Sequence, residues 1–253
     1  GSFLCCCVVF NARCCFCVWA TYEKLKRAII VSLLLALGTL TKYFANQLLP
    51  ILLIANDSNH SSILRYLRSQ VLWIGSITFL IAVFLSFFPY SIWSDAGWSE
   101  VFRGLSTYQT HWVYSPGLFA IIELVIGWFS EDSFLIAKRI AALLLCLSVA
   151  GIALFLKKAL HWKCFAVMAC LFVLSPTAFP WYFCWILAFA PFQNRISWIW
   201  FSLLLPLNYI DFHSEGSTPL ANLEWHGFFA TQIISWGFFL ITWIGESRFR
   251  HFV

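Results

Sequence analysis

Across residues 28–55 the chain carries one charged side chain, Lys42, and that run decides what kind of molecule this can be. Such a stretch is too apolar for an ordinary protein surface, so it must be buried in a protein core or in lipid. An ammonium group at bilayer depth costs several kcal/mol, about 3 on insertion scales, unless it meets a partner, a wet cavity or the interface. Lys42 is therefore either a binding group in a polar site or a side chain that snorkels to the headgroups. Gly38, Thr39, Thr41 and Asn46 are small or polar, and Pro50 interrupts the run. That pattern predicts a bent helix pair lining a polar cavity, with helices over 28–40 and 44–54 and Lys42 at their turn.

The other apolar runs point the same way. Hydrophobic residues make up 61% of the sequence and charged ones 11%, against about 25% charge in a soluble domain. The runs are longer than strands and lack strict alternation, which excludes a membrane β-barrel and predicts an all-α, polytopic transmembrane bundle with some short or re-entrant helices. No repeat or long linker divides the chain, so residues 1–253 read as one domain. The net charge of +5 is not gathered into a patch, which argues against nucleic acid. Six of the ten cysteines fall between Cys5 and Cys17 without His or acidic neighbours. They read as small apolar filling of a helix or as acylation sites rather than as a metal site.

The charges that remain mark the ends of spans. Lys24, Lys26, Arg27, Arg65, Arg68, Lys157, Lys158, Lys163, Arg195, Arg248 and Arg250 define one side, and the positive-inside rule makes it cytoplasmic. Asp95, Glu100, Glu131, Asp132, Asp211, Glu215 and Glu224 define the outer side. Spans are expected over 71–89, 134–156, 164–174, 181–192, 196–210 and 227–245, leaving a cytoplasmic C-terminus. Residues 117–129 are too short to cross and are expected to re-enter or to lie at the interface. Glu123, inside that segment, requires a partner or a proton. The glycan acceptor sequences at Asn56 and Asn59 fall on the cytoplasmic side and are expected to stay unmodified.

No phosphate loop, zinc-protease helix, nucleophile elbow or dinucleotide glycine pattern is present. Leu40-Thr41-Lys42 with Leu49-Pro50, then Asp95-Ala96-Gly97-Trp98, then His111-Trp112 and Gly117-Leu118-Phe119, then the run from Ser175-Pro176-Thr177 through Pro180-Trp181-Tyr182 to Trp185, follow in order. This series resembles the later part of the membrane-embedded GT-C glycosyltransferases, particularly the bacterial polyprenyl-phosphate-mannose-type branch. The resemblance covers roughly residues 28–192. It implies transfer of a sugar from a polyprenyl-phosphate donor to a glycan or lipid acceptor on the outer face of a bacterial plasma membrane, with no nucleotide sugar, cofactor or metal. It also implies that the catalytic carboxylate lies on an outer loop preceding residue 1, so that this chain is a piece of a larger domain.

Within that frame Lys42 would neutralise the carrier phosphate as a point charge. Asp95 and Glu100 would position acceptor hydroxyls, His111 would sit at the headgroup layer or in the site, and Trp181 and Tyr182 would pack on the sugar or the lipid. Arg103 is expected to pair with Glu100 on one helical face and to have no further role. A lipid or solute transporter uses broken helices and buried cations too, but a second interrupted segment related by internal symmetry is missing. A non-catalytic membrane fragment is the third alternative.

Overall fold

The computed structural model describes residues 24–54, 67–93, 117–192, 196–206 and 224–249, with positions 98, 100, 102–104 and 107 between them. Every regular element among these residues is helical, in agreement with the lack of alternation in the sequence. The chain divides into two compact units, Gly1–Trp112 with Leu145–Val167, and Val113–Leu144 with Met168–Val253.

In the first unit α1 (Lys24–Thr41) ends at Lys42, a 3-10 helix (Tyr43–Leu48) follows, and α2 (Leu49–Ile54) leads on toward α3 (Gln70–Trp93). Lys42 is extended and precedes the 3-10 helix, so the expected helix break falls where the sequence put it. Pro50 is the second residue of α2, where its missing amide would have had no partner in any case. The buried face of α1 carries Ala28, Val31, Ser32, Leu35, Ala36 and Thr39, at three- and four-residue spacing. Ala28, Ser32 and Ala36 are small and four apart, which lets another backbone approach. That backbone is α3, on which α1 chiefly packs. A Cβ on Gly75 would stand 2.5 Å from Leu53 Cδ2 and 3.1 Å from Ser32 Oγ, so glycine is what admits α1 and α2 together. Leu35, Ala36 and Phe79 form the core, joined by Ala45, Leu48, Leu49 and Leu52.

In the second unit α4 (Leu118–Gly127) meets the start of α5 (Ser133–Phe155) through Phe119, Phe134, Ala137 and Ala141. α6 (Leu160–Leu174), whose residues up to Val167 belong to the first unit and whose remainder belongs to the second, ends at Ser175, whose amide donates to the Leu171 carbonyl at 2.9 Å. Then come a 3-10 helix (Pro180–Phe183), the single-turn α7 (Cys184–Leu187), another 3-10 turn (Ala190–Phe192), α8 (Ile196–Leu204) and α9 (Glu224–Phe249).

Several expected boundaries are corrected here. Residues 181–192 are three short pieces, not a span, because Pro180 restarts the chain and Pro191 lacks the amide that a continuing α-helix would donate. The span expected over 71–89 runs on to Trp93 with Pro89 inside it, and residues 98, 100, 102–104 and 107 beyond it are helical. α6 starts at Leu160 and takes in Lys163, and α9 takes in Glu224 and Arg248, all placed outside spans by their charge. Neither α8, at nine residues, nor α6, at fifteen, reaches the roughly 20 residues that a crossing requires.

Two helices among the described residues, Gln70–Ile92 and Ser133–Phe155, are long and apolar enough to cross a membrane. Both helices expose large apolar side chains among the described residues: Ile77, Leu80, Ile81, Phe84 and Leu85 on α3, and Leu135, Leu143, Leu144 and Leu147 on α5. Exposed apolar faces on helices of that length suit association with lipid.

Candidate functional site

The residues singled out in the sequence fall into two local settings, one in each unit. In the first, the backbone around Lys42 closes on a single carbonyl. The Lys42 amide donates to Gly38 O at 3.0 Å, and the Thr41 hydroxyl donates to the same oxygen at 2.7 Å. Thr39 donates to Leu35 O at 2.8 Å. The threonines expected to line a polar cavity thus spend their donors on the helix that carries them, a common fate of helical hydroxyls. The Lys42 side chain is exposed at the end of α1 and the start of the 3-10 helix. This is the correct place for a cation, since the last carbonyls of a helix carry partial negative charge.

In the second setting, Ser175-Pro176-Thr177 makes a hydroxyl-stabilised turn. Thr177 N donates to Ser175 Oγ at 3.1 Å, and Ser175 Oγ donates to Thr177 O at 2.8 Å. Phe179, ahead of a proline, is held extended, with φ −59° and ψ 144°. This presents four rings in sequence. Phe179 stacks on Trp181 at 4.4 Å and 10°, and Tyr182 stacks on Trp185 at 5.3 Å and 13°. Tyr182 meets the first pair edge on, at 5.6 Å from Phe179 and 6.0 Å from Trp181. Phe179 is buried and Trp181 exposed, so the ladder leads from core to surface. A row of flat ring faces with one outer member open is suited to the apolar face of a sugar or to an acyl chain.

Behind the ladder lies a second aromatic group, and it is the core of this unit. Phe201 contacts Phe172, Phe183, Trp236 and Phe239 at centroid distances of 6.1, 5.3, 4.7 and 5.0 Å. Gly117, just before α4, is pressed against Trp236, where a Cβ would come within 2.6 Å of the indole. One polar contact ties α8 to α9. Glu246 accepts from the Ser197 amide with Oε1 and from the Ser197 hydroxyl with Oε2, both at 2.9 Å. A carboxylate on the open amides at the start of α8 satisfies a donor and faces the positive end of the helix. Going from Ser197 to Phe201 along α8 matches going from Glu246 back to Trp236 along α9, so the two helices run antiparallel.

Two further charges have local explanations. Glu123 of α4 and Lys138 of α5 sit one turn along from Phe119 and Phe134, the two rings that meet between these helices, and the Lys138 ammonium lies 4.0 Å from the Phe134 ring centroid. Lys163 donates from Nζ to Ala153 O at 3.2 Å, placing a cation on the last turn of α5, and burial lowers its pKa. Arg103 and Glu100 pair at 2.9 Å as expected, and both are exposed.

Trp181 and Tyr182 are therefore brought together, while Lys42 belongs to the other unit. Asp95, His111, the Cys5 to Cys17 cluster and the two sequons lie outside the described residues. Sequence reasoning missed Glu246, whose partner is 49 residues away, and Trp185, which read as part of a span. Among the described residues no three His, Cys, Asp or Glu side chains converge on a point that would hold a metal ion. Cys146, Cys164, Cys170 and Cys184 form no disulfide. Neither family models, nor curated proteins, nor solved structures match this chain, so a functional reading rests on its own residues.

Proposed function

We propose that this chain is a multi-pass integral membrane protein of GT-C type that engages a sugar carried on polyprenyl phosphate and serves its transfer to a glycan or lipid acceptor. The observation that carries the membrane part is the pair of long apolar helices, α3 and α5, with large aliphatic side chains exposed along them. In this reading the basic ends face the cytoplasm, and the turn of residues 175–180 faces outward.

The aromatic ladder from Phe179 to Trp185 supports the sugar part. Stacked rings bind pyranose faces and isoprenoid chains alike, and Trp181 is the exposed rung. Lys42, in the first unit, is exposed at a helix break and is a cation of the kind that binds a phosphate. Transfer breaks the bond from the anomeric carbon to the phosphate oxygen and makes one to an acceptor oxygen. The acceptor proton passes to a carboxylate not assigned to any residue here.

The test uses membranes expressing the chain, washed with alkaline carbonate and then photolabelled with a photoactivatable polyprenyl-phosphate mannose. Retention in the pellet and labelling that falls several-fold in both Lys42→Met and Trp181→Ala are expected. Release by carbonate would remove the membrane reading. Retention with labelling untouched by either substitution would remove the sugar-carrier reading and leave a membrane protein of another kind.

A further inference from the structure

α5 is one of the two helices long and apolar enough to cross a membrane, yet its second turn carries Lys138. The Lys138 ammonium stands 4.0 Å from the centroid of the Phe134 ring, and that ring meets Phe119 of α4 edge to face at 6.1 Å. Glu123 follows Phe119 by four residues, and Lys138 follows Phe134 by four. Residues four apart share a helix face, so each charge lies on the face of α4 or α5 that bears one of the two contacting rings. Ala137 and Ala141 pack against Phe119 and keep the seam between the helices narrow, so the two charges flank one contact. Arg139, the next residue, is exposed and has the length to reach headgroups by itself.

We infer that Glu123 and Lys138 are a compensating charge pair that lets α4 and α5 enter the bilayer together without either of these two charges going in alone. The inference rests on the membrane reading of α5. A single ammonium carried into hydrocarbon opposes insertion, whereas an ammonium and a carboxylate entering together on one seam offset each other and need not drag water with them. The sequence has no acid between Ser133 and Phe155, and Glu123 of α4 lies on the face that meets α5.

The experiment expresses the whole chain in sealed membrane vesicles with a protease site inserted at Ser130, in the turn between the two helices. The fraction cut from one side reports correct placement. E123Q is expected to lower the ratio of correctly placed to misplaced chains by about tenfold, and both E123Q/K138Q and the swapped E123K/K138E are expected to return it to within about twofold of the starting chain. E123Q equal to the starting chain, or a double variant no better than E123Q, would overturn the pair and assign Lys138 to the headgroups. Alkaline carbonate treatment of the unsubstituted chain separates the two layers of argument. Release overturns the membrane reading and the pair together, and retention with a silent E123Q overturns the pair alone.

Discussion

The two units reach close packing by opposite means. In the first, Ala28, Ser32 and Ala36 of α1 and Gly75 of α3 remove side chains so that backbones come together. In the second, Phe172, Phe183, Trp198, Phe201, Trp236 and Phe239 fill the space between helices with interlocked rings. In the membrane reading proposed above, lipid competes for every leucine, so the hydrophobic effect does little to join helices and what remains is fit. Small residues gain fit by proximity, and rings gain it by shape and by their edge-to-face electrostatics. A unit of the first kind should tolerate loss of volume and fail on added volume. A unit of the second kind should do the reverse.

The largest effect is expected in the aromatic core. Phe201→Ala removes a buried ring with four aromatic neighbours and should destabilise the second unit by about 3–5 kcal/mol, measured by denaturant unfolding in detergent micelles. An effect below that of an exposed substitution such as Leu203→Ala would show that the rings are in contact without being needed. Next come the two glycines. Gly75→Leu should cost about 1–3 kcal/mol by forcing Leu53 and Ser32 away, and Gly75→Ala should cost less, because the end of the Leu53 side chain can move. Gly117→Ala should cost as much as the bulkier change at Gly75, since the Trp236 indole is rigid. Equal tolerance of alanine at both glycines would erase the contrast between the units.

Glu246→Ala leaves the Ser197 amide and hydroxyl without their acceptor and is expected to cost about 1–3 kcal/mol, while Glu246→Gln keeps one acceptor oxygen and should recover part of it. Comparison of the two by thermal unfolding isolates the contact from mere helix packing.

How much of this was legible in the sequence differs by residue. The break at Lys42 could be read because Gly38, Thr41 and Pro50 each disfavour a continuous helix by a local mechanism. α5 could be read because charge marks both of its ends. Residues 181–192 read as one span because the run is apolar throughout, and that composition masks the local signal of Pro180 before it and Pro191 inside it, where the helix divides. Glu246 looked like a solvated terminus after a span, because nothing in its neighbourhood reveals an amide donor 49 residues back. Of the candidate site, Trp181 and Tyr182 were found by their place beside Pro180, and the stacking that joins them to Phe179 and Trp185 depends on a turn geometry that composition does not encode.

The ladder from Phe179 to Trp185 has an optical consequence. Chromophores held at 4.4 and 5.3 Å with nearly parallel planes couple strongly, and their near-ultraviolet circular dichroism depends on that fixed geometry. A preparation in which the helices survive but this turn has loosened would keep its far-ultraviolet signal and lose the coupled bands. The molecule thus carries its own gauge of whether a detergent has preserved it or merely dissolved it.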